Sequence, residues 1–290
     1  MRLSPLHRTV ILVTCLAMLV SSSCFVRRRT VTPAGARRET RPLLTATRDE
    51  LIERVHKFSD PIRYFTMTAD ISPSVGSLYN GEVTDYATIR CYLLFQKPAD
   101  IRIIGLDPVI HTRAFDMVST GGEFRVYIPS RNRFIEGRND TPATSKSKLE
   151  NLRPSAFLDS LMVIPPDPAT TATLLEEDTN ANRAYYILRI IRREGDDLRL
   201  ARSIYFDRYT LQVVRQKTFN DSGSVISDTH YPDWKEFGGI AFPAEIDIQR
   251  PQDSYEVSLS VVELKINAEA LTPDKFVLAQ PPGSQLQVLK

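Results

Sequence analysis

Two periodicities organise this chain. Leu51, Ile52, Val55 and Phe58 recur at helical spacing and share one face. Thr47 and Glu50 stand three apart just ahead of them, a capping-box pattern, so a helix is expected over about 47–58. Beyond it the period drops to two. Phe65, Met67, Ala69 and Ile71 alternate with polar neighbours, as do Val83, Ala87, Ile89, Cys91, Leu93 and Phe95. Ile101 and Ile103, Phe115 and Met117, then Phe124, Val126 and Ile128 continue the alternation, with turn residues between the runs. Alternation broken by short turns predicts antiparallel strands with one buried face.

A polar stretch over 137–151 reads as a loop. Pro154 opens a short helix carrying Phe157, Leu158, Leu161 and Met162, and Pro165-Pro166-Asp167-Pro168 ends it. The second half reads as a meander, with strands at about 183–193, 197–207, 211–220, 224–233, 240–249 and 254–266. About eleven strands in one open sheet curl strongly. The expected fold is therefore mainly β (α+β): a half-open antiparallel β-barrel of about eleven strands with a short helical lid. Alternation alone leaves open whether the concave side is a packed core or a cavity.

The N-terminus has a different character. Arg2 and Arg8 precede an apolar run from Thr9 to Val20, then Ser21-Ser22-Ser23-Cys24. Twelve residues span roughly 18 Å as a helix, short of a ~30 Å hydrocarbon core. The layout is that of a bacterial lipoprotein export signal, with Ser21 standing where leucine is usual. The alternative is ordinary secretion with cleavage near Ser23. The expected organisation is a signal peptide over 1–23, lipidation at Cys24 by chains such as palmitate, a basic flexible tether over 24–42, and a folded domain over 43–290.

Charge supports this division. The whole chain is formally +2, but six arginines crowd residues 24–42. Residues 43–290 carry 29 basic against 34 acidic side chains. A net acidic folded part argues against nucleic acid as a partner, whereas a basic stalk either lies near anionic headgroups or serves as a plain solvated tether. Cys15 falls in the signal and Cys24 at the lipid site, which leaves Cys91 as a buried apolar residue with no partner for a disulfide.

Catalytic chemistry is not apparent. His56, His111 and His230 lack metal-ligand spacing. There is no nucleophile elbow, and the Gly-Gly pairs sit in hairpin turns. No enzyme activity, metal or cofactor is expected. Trp234 reads as a core residue at a strand end.

Several stretches, in order, resemble the lipoprotein-localisation (LolA/LolB-like) superfamily, including its outer-membrane lipoprotein-sorting type. They are Gly105-Leu106-Asp107-Pro108; Gly121-Gly122 with Phe124-Arg125-Val126-Tyr127-Ile128-Pro129; Tyr205-Phe206-Asp207 through Thr210–Arg215; Tyr231-Pro232-Asp233; Gly239–Pro243 with Ile246; and Leu271–Asp274 with Phe276 and Pro281-Pro282-Gly283. The resemblance covers nearly all of the folded part.

It implies a cavity that holds acyl chains, here lined by Leu93, Phe95, Ile103, Phe115, Phe124, Val126, Ile204, Phe206, Phe242, Ile246 and Leu259. It also implies an apolar loop that assists lipid delivery, with Leu106 first and then Val109 and Ile110. The expected protein is a monomer, lipid-anchored at the outer membrane and facing the periplasm, with lipid acyl chains or lipoproteins as partners. The alternative is an envelope-stress sensor or assembly module of the same fold acting through protein contacts.

Overall fold

A computed structural model describes residues 26–29, 42–77, 82–139, 154–180 and 183–289. The signal segment, Cys24 and residues 140–151 of the expected loop lie outside the described residues, as does the expected stalk except 26–29 and Pro42. The strands are β1 (Val26–Arg29), β2 (Tyr64–Ser77), β3 (Glu82–Tyr86), β4 (Ile89–Gln96), β5 (Asp100–Leu106), β6 (Arg113–Thr120), β7 (Glu123–Ile128) and β8 (Arg133–Arg138). They continue with β9 (Thr171–Thr179), β10 (Ala184–Glu194), β11 (Asp197–Asp207), β12 (Val213–Phe219), β13 (Val225–Phe237), β14 (Ile240–Arg250), β15 (Tyr255–Ile266) and β16 (Gln285–Leu289). Two α-helices accompany them, α1 (Arg48–Ser59) and α2 (Pro154–Leu161).

The strands join one open sheet in the order β16-β8-β7-β6-β5-β4-β2-β15-β14-β13-β12-β11-β10-β9. Neither edge, β16 nor β9, closes on the other. Strand β2 is long enough for two partners: Tyr64–Ile71 pairs with β4, and Ser74–Ser77 pairs with β3, which in turn pairs with β1.

Helix α2 shows how the sheet bends. It touches β5, β6 and β14, and three residues after it the Ile164 carbonyl accepts a 2.7 Å bond from Arg202 on β11. From β5 to β11 is seven strand spacings, roughly 34 Å if flat. The eight-residue helix is about 12 Å long, and three extended residues add about 10 Å. So short a segment reaches both wings because the sheet curls around it.

The concave face is one apolar cluster running from β2 to β15, with α1 and α2 pressed into it. Helix α1 begins at the predicted capping box: Thr47 accepts from the Glu50 N–H, and the Glu50 carboxylate accepts from the Thr47 N–H at 2.7 Å. It buries Leu51 and Val55 and sets Phe58 edge-on against Trp234 at 5.3 Å. Trp234 also donates its indole N–H to the Val213 carbonyl at 2.9 Å. Residues 42–47 dock through Leu44, whose N–H donates to the Arg208 carbonyl at 2.7 Å. The Arg208 guanidinium, itself buried, lies 4.6 Å over the Tyr186 ring and bonds Thr179 and Glu177.

A smaller cluster covers the convex face, where Phe276 and Leu278 lie on Val118 and Phe134. Arg102 pins it by gripping fully buried Asp116 with two bonds of 3.0 and 2.9 Å and donating to the Lys275 carbonyl.

Three expectations change. The sheet has sixteen strands among the described residues, against about eleven expected, and it is open. The run from Val83 to Phe95 divides into β3 and β4 at Ala87-Thr88, where pairing on β2 passes from its upper to its lower part. Strands β1, β8, β9 and β16 are additional. Phe134 and Ile135 of β8 are adjacent and both buried, one in each cluster, which hides alternation. The sheet is also not wholly antiparallel, since β16 runs parallel to β8. Finally, residues 26–29, expected in a free stalk, are backbone-paired with β3.

Phe242 lies at the meeting of α1, β2 and β14, with Phe58 and Phe65 at 5.9 and 5.6 Å. Phe242→Ala should cost about 3–5 kcal/mol, whereas Thr47→Ala, a cap at the exposed start of α1, should cost about 1 kcal/mol. Urea midpoints of the two variants check this. Equal losses would mean that the Phe242 site collapses and is not a rigid core position.

Candidate functional site

The concave face has an apolar sector and a polar one. Of the eleven residues expected to line a cavity, all belong to or pack against the concave cluster. Ten are buried to 7 % exposure or less, and Phe115 is half-buried. Phe115 crosses β5 at Gly105, where a Cβ would meet its ring at 2.3 Å, so the glycine makes room for the aromatic ring. The residues are thus brought together on one surface and are closed off from solvent in this conformation.

The polar sector lies under α2 on β11 to β14. Tyr231 donates its hydroxyl to the Ser160 carbonyl at 2.9 Å, and Ser160 shares a 2.9 Å bond with Thr229. Gln216, 2 % exposed, donates to the Asp159 carbonyl at 2.8 Å while its own Oε1 meets no partner among the described residues. Asp159 itself is exposed, although protein atoms crowd around its carboxyl. That desolvation pushes its carboxyl above the ordinary range against the pull of Arg250 and Arg202. Burial likewise pushes Arg202 down, opposed by Asp159 and Tyr231. Sequence reasoning missed this cluster because its members come from five elements with no shared spacing.

The β5–β6 turn is the second notable surface. Leu106, ranked first from the sequence, is the last residue of β5 and half-buried. Val109 and Ile110 stand at the tip, 64 % and 67 % exposed. Asp107 holds them there, since its Oδ1 accepts from the Val109 and Ile110 N–H groups at 2.8 and 3.0 Å. Those two bonds draw its carboxyl below the usual carboxylate range. Backbone bonds from His111 to Asp107 and from Asp107 to Thr112 close the loop, with His111 in the left-handed region at φ 55°. The apolar pair is therefore displayed on a braced turn.

Other sequence candidates are separate. His56 bonds Asp60, and His111 braces the turn. His230 lies on the convex face with Asp228, Arg215 and Lys217. Burial alone would raise Asp228, but the bidentate Arg215 and nearby His230 hold it far below the ordinary range. Among the described residues no group of three metal-ligating side chains converges. Cys91 is fully buried, and desolvation pushes its thiol up to about 12.

No protein-family model and no curated protein matches the chain by sequence. Solved structures match it in fold. A DUF1329 family protein from Desulfovibrio piger shares 16 % identity over 79 % of this chain and 95 % of its own, at a TM-score of 0.54. A LolA superfamily protein from Nitrosomonas europaea shares 12 % identity over 81 % of this chain and 99 % of its own, at 0.50. An outer membrane lipoprotein-sorting protein domain from Vibrio parahaemolyticus shares 8 % over 78 % of this chain and 94 % of its own, at 0.52. The chain has a LolA/LolB-like fold, and at these identities the likeness carries the fold alone.

The polar sector yields a pH prediction. A carboxyl whose folded pKa is raised holds its proton more tightly in the folded state. Stability is then fully present below the unfolded value of about 3.9 and is lost as pH rises through the raised folded value. Asp159→Asn removes that loss, so the variant should be more stable than the parent at neutral pH and equal to it in acid. Urea unfolding at both pH values is the check. Destabilisation at neutral pH would show that Arg202 and Arg250 need the Asp159 charge.

Proposed function

We propose that this protein is a non-enzymatic, membrane-anchored binder of lipid or lipoprotein acyl chains, working in the bacterial envelope on the periplasmic side of the outer membrane. The observation that carries the reading is the curled sheet of the LolA/LolB-like fold, whose concave face carries one apolar cluster from β2 to β15 covered, among the described residues, by two short helices and the segments that follow them. Residues 1–23 act as the export signal, Cys24 carries the lipid, 24–42 form the connecting segment, and 43–290 form the binding domain.

The energetics suit a carrier. Each CH₂ withdrawn from water contributes ~0.8 kcal/mol, so one sixteen-carbon chain represents roughly 10 kcal/mol. An acyl chain would enter between α2 and the floor formed by residues such as Phe95, Phe124, Phe206 and Phe242. The polar sector around Asp159, Arg202 and Gln216 keeps the lid seated when no chain is bound. Val109 and Ile110 are the residues that touch the bilayer or the incoming lipid during transfer.

Two measurements test this. The mature chain should take up a fluorescent fatty-acid probe saturably. Phe206→Asp, which puts a charge on the floor, should reduce uptake at least tenfold or prevent folding. Leu93→Trp supplies a second readout by overfilling the floor while remaining apolar. No saturable uptake by the parent chain would end the carrier reading. Separately, Cys24→Ser should move the protein from the membrane to the soluble fraction with its thermal midpoint unchanged. Retention on the membrane would place the anchor elsewhere.

A further inference from the structure

The strands of the sheet alternate in direction, so its turns fall at two ends. Turns 107–112, 129–132, 195–196, 220–224 and 251–254 lie at one end, and 97–99, 121–122, 208–212 and 238–239 lie at the other. The three most exposed large apolar side chains among the described residues are Leu198 at 68 %, Ile110 at 67 % and Val109 at 64 %. All three belong to the first end: Val109 and Ile110 in the β5–β6 turn, Leu198 in the β10–β11 hairpin. The two sites are on opposite wings of the curled sheet.

Strand β1 belongs to that end as well. Its partner β3 pairs with Ser74–Ser77 of β2, the part that runs past the start of β4 toward the 251–254 turn. Cys24 precedes β1 by two residues, about 7 Å of extended chain. The sequence of β1 is Val-Arg-Arg-Arg.

We infer that this end of the sheet is laid against a lipid bilayer, with Leu198 as a membrane contact on the wing opposite Val109 and Ile110. The inference rests on the proposed lipid anchor for the role of β1, but not on acyl uptake by the concave face. Separated apolar tips suit a fluid acyl surface, which accepts each side chain independently. A protein partner would need a continuous complementary area of about 800 Å², and the 129–132, 220–224 and 251–254 turns at this end are polar.

Charge is compatible. Residues 192–199 hold Arg192, Arg193 and Arg199 against Glu194, Asp196 and Asp197, neutral in sum, and Arg192 and Arg199 pair with Glu194. The arginines of β1 add positive charge for anionic headgroups. A lipid anchor alone fixes distance, and a second, apolar contact fixes orientation. With Val109, Ile110 and Leu198 all seated, the concave face stands at a steep angle to the membrane, its open edge within reach of the lipid.

The test reads position at the bilayer. In the chain with Cys15→Ser and Cys24→Ser, a hexahistidine tag at the N-terminus, captured by a nickel-chelating lipid in the vesicles, stands in for the anchor, and the buried Cys91 thiol does not compete for label. An environment-sensitive fluorophore is attached at Leu198→Cys, Ile110→Cys or, as the far-end control, exposed Glu236→Cys. Vesicles of phosphatidylethanolamine and phosphatidylglycerol with brominated acyl chains are then added. The Leu198 and Ile110 labels should shift to the blue and lose most of their emission, while the Glu236 label stays unchanged. Quenching at Ile110 without Leu198, or at Glu236 as strongly as at Leu198, overturns the inference. Fatty-acid probe uptake measured on the same chain separates the two readings. Uptake with an unquenched Leu198 label leaves the carrier standing and removes this orientation. Quenching without uptake does the reverse.

Discussion

A long β-sheet with one apolar face must either stack on something or bend around it. Here it bends around α2, a helix of eight residues that touches both wings. Its ties are polar as well as apolar: Tyr231 and Thr229 reach Ser160, Gln216 reaches the Asp159 carbonyl, and Arg202 reaches Ile164. Hydrogen bonds of this kind contribute about 1 kcal/mol each while leaving a large penalty if broken and buried. They fix where the helix sits more than how tightly it sits. The apolar floor would hold many positions of a short amphipathic helix; the polar sector selects one.

Much of this was legible in the sequence. The strands of the second half fall within a few residues of their expected spans, because apolar residues recur along each and each turn carries Gly, Asp or Asn. Helix α1 was legible through Thr47 and Glu50. What the sequence hid has physical causes. The edge strand β9 is open on one side, so its pattern is set by solvent more than by a core. Strand β16 finds its partner by running parallel to β8, some 150 residues earlier, a pairing no local pattern announces. The polar sector was illegible because Asp159, Arg202, Gln216 and Arg250 look like ordinary surface residues of four separate elements. Only the curl puts them together.

The β5–β6 turn shows the difference between an apolar residue in a connection and one on display. The sequence reading ranks Leu106 ahead of Val109 and Ile110. The structure separates them through Asp107, whose side chain satisfies two successive backbone N–H groups. That bracing holds the turn in one shape, so the exposed pair pays little conformational entropy when it contacts another surface. Leu106 lies one residue before Asp107 and belongs to the ladder instead, paired with Arg113.

Asp159 and the apolar tips violate the rule that a sequence should agree with its fold at every level. A lid carboxyl whose charged form is disfavoured by the protein around it costs stability, and so does apolar surface left in water. In a protein whose only task was to fold, either would be easily replaced. Both occur where the molecule would have to change its contacts: Asp159 on the helix that covers the concave face, Val109, Ile110 and Leu198 at the end nearest β1. The lid is seated by polar bonds and also by Phe157 and Leu161, which it buries on the floor, so lifting it undoes both, and water can take over only the polar ones. In the proposed carrier, apolar tips at the rim would offer a leaving chain a surface other than water. On that reading the two departures from stability would form two halves of one path, between a closed apolar face and a bilayer.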